Sequence, residues 1–343
     1  MSAAEPGRLR SLLSGAFGPR ELAAALVGYW TVAALLVVLV VFGLISPNFY
    51  SRTNFIATSL YMTGVLTLAL GQTFAIISGG IDLSIAGILA FSSMAGALVM
   101  SNLTGGGYAE TTAVLAGIAV ALLVGAVVGF CNGVLITKLR LVPFIVTLGM
   151  LGVMRGGTNL LNGGQQVADI PFELTMAGSR IFFGWLPSQV AVALVLTVIC
   201  GLVLAKTRFG LRTYYIGSNR EGARRAGVNV DAHLIRVYMI SGFIAAIAGV
   251  MMLARFGVAQ TNAGEGTELS SIAAVVIGGA SLFGGTGSIF GTFIGAALMS
   301  VLVTGLILAG VAPFWQTVAT GVIIIGAVYI DQMRDRIRFG AHQ

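Results

Sequence analysis

Asp82 and Glu268 are acids set among long apolar runs, Asp82 two residues after Gly79-Gly80 and Glu268 two residues after Gly266. An ionised acid in hydrocarbon costs roughly 2.5–3.5 kcal/mol, so each must face protein or water. Two kinds of chemistry suit Asp82 and its neighbour Ser84. The carboxylate can cap a helix beginning near Leu83 by accepting its free amide hydrogens, or it can take part in a polar path through the molecule. Glu268 can play the same kind of role at the opposite end. Gln72, Asn159 and Gln260, with Thr73, Asn162 and Asn262, lie in apolar runs or near their ends. Neutral amides and hydroxyls suit an uncharged, polyhydroxylated solute, with which they exchange hydrogen bonds without a charge penalty; each can equally bond a neighbouring helix. Arg155 lies about 21 Å into its run at 1.5 Å per residue, within snorkelling reach of the surface, and Arg255 lies at a similar depth. Cys131 and Cys200 sit in apolar runs and read as packing residues rather than a disulfide. His233 and His342 match no metal spacing, and no cluster of His, Cys or paired acids suggests bond-making chemistry.

The elements that must hold these residues are membrane spans. Hydrophobic residues make up 57% of the 343 and charged ones 9%, against about 25% charged in a soluble domain. Mean hydropathy is +0.97. This composition excludes a disordered chain, a nucleic-acid-binding domain and an ordinary cytosolic enzyme. A net charge of +7 reads as the Lys/Arg excess of cytoplasmic loops, not as a nucleic-acid surface. Apolar runs predict an all-α membrane protein of about ten transmembrane helices: 22–45, 55–78, 84–100, 111–137, 141–162, 184–205, 236–257, 269–283, 288–309 and 314–331. Runs 84–100 and 269–283 are short for a full crossing. With both termini in the cytoplasm, 15 of the 19 Lys and Arg fall inside, the exceptions being Arg52, Arg155, Arg180 and Arg255. Residues 1–20 read as a cytoplasmic leader without a signal-peptide cleavage pattern, 21–335 as one transmembrane domain and 336–343 as a cytoplasmic tail.

Self-comparison finds an internal repeat. GIDLSIAGILA (80–90) matches GTELSSIAAVV (266–276), and Pro143-Phe144 with Thr147 matches Pro313-Phe314 with Thr317. Glycines spaced by four precede the second match in each copy: Gly125, Gly129, Gly133 and Gly287, Gly291, Gly295. Repeat one covers about 55–162 and repeat two about 236–331. The predicted topology inverts spans two to five relative to seven to ten, an arrangement that suits transport because one site can be exposed to alternate sides. The spaced glycines read as helix contact faces.

The longest cytoplasmic stretch is 206–235, in which Asn219 to Gly227 predicts a short helix bounded by Gly217 and Gly227. The chain carries no Walker A pattern. Its segment IGSNREGARRAGVNV (216–230) resembles the coupling segment of the ribose/xylose-type ABC sugar permeases, the inner-membrane components of binding-protein-dependent transport systems. Their other signatures follow in order: SGGIDLSIAG (78–87), LVPFIVTLGMLGVMRGG (141–157) and SIAAVVIGGASLFGGTGSIFGTFIGA (271–296). The resemblance covers roughly 47–331. Ser270 departs from it, standing where the family often has an acid.

The resemblance implies a multi-pass subunit of the bacterial inner membrane, without a cofactor or ATPase site of its own. Its implied partners are a second permease copy or a paralogue, a sugar-class ATPase with two nucleotide domains that uses ATP and Mg, a periplasmic sugar-binding protein and membrane lipid. The segment around Gly217, Asn219, Glu221, Ala223, Arg224 and Gly227 would dock into the ATPase. Gln72, Asp82, Ser84, Asn159, Gln260 and Glu268 would contribute to the path of a monosaccharide or polyol. An ion-coupled secondary transporter is the rival reading, with Asp82 as its deep acid; an intramembrane enzyme would want a catalytic cluster that the runs do not contain.

Overall fold

The computed structural model describes residues 19–312, 314–323, 325–326 and 329. Most of the expected leader, the tail, Pro313, His342 and the arginines at 334, 336 and 338 lie outside them. In lipid every backbone polar group must be satisfied within the protein, so long apolar runs become helices. The helices are α1 (Pro19–Ile45), α2 (Arg52–Ile77), α3 (Ile85–Gly105), α4 (Glu110–Lys138), α5 (Pro143–Leu161), α6 (Phe172–Ser179), α7 (Ser188–Lys206), α8 (Arg208–Ser218), α9 (Arg220–Arg225), α10 (Val230–Phe256), α11 (Thr267–Ile277) and α12 (Ile289–Leu308). Residues 314–323 are also helical.

Local sequence sets the starts and stops. Ser51 Oγ accepts the amide of Asn54 ahead of α2, Asn229 Oδ1 that of Ala232 ahead of α10, and Ser288 Oγ that of Gly291 ahead of α12. Pro143 opens α5, where its missing N–H costs nothing. Gly257 ends α10 in the left-handed region at φ 65°.

Among the described residues, α2, α3, α4, α5, α7, α10 and α12 are long and apolar enough to cross a membrane. The expectation that 84–100 is a short segment is corrected: α3 has 21 residues and continues to Gly105. The expectation for 269–283 divides. Helix α11 has only 11 residues, about 16 Å at 1.5 Å per residue, and the chain then turns through 278–288. The run expected from 184 begins instead at Ser188, because 181–187 form a two-stranded antiparallel hairpin, β1 (Ile181–Phe182) with β2 (Leu186–Pro187). Among the described residues the fold is therefore helical with one small hairpin.

Helix α2 is the centre. Every residue from Val65 to Ile77 is buried, the signature of a helix packed on all sides. Of the most apolar stretches, 78% of α2 is buried against 22% for α5 and α7. Helices α4 and α10 pack through the first glycine set. A Cβ at Gly125 would lie 2.4 Å from the Gly242 carbonyl oxygen, and one at Gly129 2.2 Å from that of Tyr238. The second set works alike: at Gly291 and Gly295 a Cβ would fall about 2 Å from the carbonyl oxygens of Gly278 and Ala274. Where lipid supplies no hydrophobic drive between helices, such close approach supplies the contact energy.

Candidate functional site

Asp82 lies in the break between α2 and α3 and is wholly buried. Its Oδ1 accepts from the Ser84 amide at 3.1 Å and the Ser84 hydroxyl at 2.6 Å, and its Oδ2 accepts from the Ser241 hydroxyl of α10 at 2.8 Å. Gln72 of α2, oriented to satisfy both partners, donates to the Asp82 carbonyl at 3.0 Å and accepts its amide at 3.2 Å. Asn132 of α4 donates to Ser84 Oγ at 2.8 Å, and Thr147 of α5 to the Ile81 carbonyl at 3.1 Å. The network around Asp82 thus ties α2, α4, α5 and α10 to the break ahead of α3, the carboxylate itself reaching Ser84 and Ser241. The expectation is a cap of a helix beginning near Leu83; α3 runs from Ile85, and Asp82 accepts one main-chain amide, that of Ser84 just ahead of it. Asn132 Oδ1 and Tyr238 Oη are buried here without a protein partner.

The six expected path residues divide into two groups. Gln72, Asp82 and Ser84 are wholly buried in this network. Asn159 and Gln260 are exposed and Glu268 is half-buried in the first turn of α11. Asn159 donates to the Arg155 carbonyl at 3.0 Å, and Arg155 Nη1 donates to the Ala263 carbonyl at 2.9 Å, joining α5 to the loop that leads into α11. Arg155 Nη2 and Glu268 Oε2 are buried without partners. Asn132 and Ser241 escaped the sequence reading; the available signal was a lone amide between Cys131 and Gly133 on a glycine-spaced face.

The 206–235 stretch folds as α8, a one-residue break and α9. Asn219 Oδ1 accepts the amide of Gly222 at 2.8 Å and so caps α9. Gly227, at φ 80°, turns the chain into α10. Ala223 is corrected from a docking contact: its side chain is 6% exposed and packs inward on Ile216, Val230 and Leu234. Arg220, Glu221, Gly222, Arg224 and Arg225 form the exposed face. Arg225 pairs with Glu221 at 3.3 Å and Arg224 with Asp231 at 3.2 Å. His233 is buried, 2.9 Å from Thr213 Oγ1 and stacked near Phe209 at 4.4 Å between ring centres, a packing residue that holds α8 to α10.

Gly217 seats this segment on the membrane helices. A Cβ there would fall 1.8 Å from the Ile77 carbonyl oxygen and 2.5 Å from the Gly285 amide nitrogen. The Gly285 amide itself donates to that Ile77 carbonyl at 2.9 Å. Arg220 Nη2 donates to the Gly79 carbonyl at 3.1 Å, and Tyr214 Oη to the Gly287 carbonyl at 2.8 Å. One short element outside the long apolar helices therefore touches both breaks, 78–84 and 278–288.

Residues 53–328 match the family described as branched-chain amino acid transport system / permease component. The D-allose transport system permease protein of Escherichia coli K12 is 34% identical over 89% of this chain and 91% of its own length. The ribose import permease protein of Bacillus subtilis is 37% identical over 88% and 91%, and the autoinducer 2 import system permease protein of Yersinia pseudotuberculosis 34% over 87% and 83%. Among solved structures, a metal-chelate-type ABC transporter in an inward-facing conformation aligns with 84% of this chain at 14% identity and a TM-score of 0.43. With its apolar helices, its broken spans and relatives that match it nearly end to end, the chain belongs to this family of multi-pass permease components of ABC import systems.

Proposed function

We propose that this chain is the translocating subunit for a monosaccharide or a related polyol, received from a periplasmic binding protein and driven by a separate ATPase with two nucleotide domains. The junction at Gly217 carries this reading. A segment that bears on both helix breaks through backbone contacts can pass a displacement from a cytoplasmic partner into the membrane. The ATPase would grip the exposed face of α9, Glu221, Arg224 and Arg225, with Asn219 and Gly227 fixing the helix and Gly217 fixing its seat. ATP and Mg would act on that partner. Two copies, identical or paralogous, would enclose the solute path between them, and the chain would cross the bilayer ten times as two inverted repeats with both termini inside.

Within the path the two groups of polar residues would do different work. Asn159, Gln260 and Glu268, on or near accessible surface, would exchange hydrogen bonds with sugar hydroxyls. Gln72, Asp82 and Ser84 are enclosed by protein and would hold the α2–α3 break in register, keeping the accessible residues where the solute passes. Family relatives that import ribose, allose and autoinducer 2 support a small polyhydroxylated solute. The test is uptake of labelled pentoses and hexoses by vesicles that hold the permease with and without its ATPase and binding protein. Uptake that needs both, and fails with Glu221→Arg while membrane levels persist, is expected. Uptake that continues without the ATPase would return the ion-coupled reading with Asp82 at its centre.

A further inference from the structure

A cavity of about 410 Å³ lies between α1, α2, α7 and α12, walled by Leu39, Leu66, Leu194 and Ala297 and roofed by Trp185 of the hairpin turn. Its few polar side chains already have partners inside the protein. Asn54 donates to the Phe49 carbonyl at 2.7 Å, Ser59 to that of Ile56 at 2.9 Å, Thr63 to that of Ser59 at 2.9 Å, and Thr58 pairs with Thr304 at 2.9 Å. The lining is almost wholly apolar, with little polar side-chain surface for a sugar. The occupant must be apolar, and three of the wall helices, α2, α7 and α12, are long and apolar enough to cross a membrane.

The rim adds a charge. Arg52 opens α2 beside the hairpin and donates through Nε to the Gly184 carbonyl at 2.9 Å, with Nη2 directed at the same oxygen. Nη1 makes no hydrogen bond, and Arg52 no ion pair, among the described residues. No acid lines the cavity. Tyr50 and Trp185 are exposed beside it, the amphipathic residues that favour the headgroup level. This end of α7 lies opposite the 206–235 segment, so Arg52 runs against the prevailing placement of cations.

We propose that the cavity holds one acyl chain of an anionic phospholipid, with the phosphate on Arg52. Native mass spectrometry of the chain released in mild detergent should then find one phospholipid retained. After delipidation, vesicles of phosphatidylglycerol should raise the melting temperature, while phosphatidylcholine does so less and inorganic phosphate not at all. Ala297→Phe, which fills the cavity, should abolish retention. Arg52→Gln should weaken phosphatidylglycerol binding about fivefold and leave phosphatidylcholine unchanged. Both variants must elute from size exclusion as wild type does. Retention unchanged in both variants, stabilisation by phosphate alone, or a disulfide formed on oxidation between two copies that each carry Leu39→Cys would each overturn the proposal.

Discussion

Substituting Gly217 by alanine tests the mechanical link most directly. The added Cβ would sit 1.8 Å from one backbone oxygen and 2.5 Å from one backbone nitrogen. Backbone cannot swing aside as a side-chain tip can, so α8 must lift away from the Ile77–Gly285 contact. Overpacking of this kind costs about 1–3 kcal/mol. At about 1.4 kcal/mol per factor of ten, the seated arrangement falls in population by roughly one to two orders of magnitude relative to a lifted one. Gly217→Ala leaves the exposed face of α9 untouched, so the ATPase should copurify as with wild type. Uptake should fall, and ATP hydrolysis should lose its dependence on solute-loaded binding protein. Gly201→Ala, on α7, is the control, since its Cβ would meet only the Ile289 side chain, at 3.8 Å. Wild-type uptake and wild-type coupling in Gly217→Ala would refute the junction as the transmission point.

Asp82→Leu should lower expression and melting temperature sharply, because it strands three donors, the Ser84 amide and hydroxyl and the Ser241 hydroxyl, at about 1–3 kcal/mol each when buried; Asp82→Asn should lie between, and a Leu variant as stable as wild type would remove the network from the argument. Gly129→Val should separate α4 from α10, where the Cβ would meet a carbonyl oxygen at 2.2 Å, read as loss of monodisperse protein on size exclusion. Ala223→Trp should destabilise the permease itself, since the pocket is formed by its own Ile216, Val230 and Leu234; unaltered melting with lost ATPase copurification would restore Ala223 as a contact. In a Cys131→Ser background, cysteines at Glu221 and at Gln165 should label from opposite faces of the membrane, and labelling from one face would break the topology.

The membrane class, most helix locations and the short helix within 219–227 were legible in the sequence. Apolar length and glycine spacing are local properties, and a hydrocarbon solvent leaves helices as the available answer for such runs. The glycine sets are the clearest case, since only a missing side chain allows the α4–α10 and α11–α12 contacts. Helix ends were less legible. The run at 84–100 read as short because Ser101 and Asn102 are polar, yet the helix continues to Gly105; backbone hydrogen bonding decides the end, not side-chain polarity.

What the sequence by itself determined was which residues are unusual: Asp82 after two glycines, Gly217 ahead of a capped basic helix, a few amides in apolar runs. Only the tertiary structure decided which way each one faces. Asp82 turned out enclosed and shared among helices far apart in the chain, and Ala223 faces its own core rather than a partner. Asn159 and Gln260 reach the surface, whereas Gln72 does not. Sequence patterns report composition and period along one helix, and a polar residue satisfied by protein has the same letter as one offered to a solute. The difference lies in long-range partners, Ser241 for Asp82 and Ile77 with Gly285 for Gly217, which the chain acquires only when its helices pack.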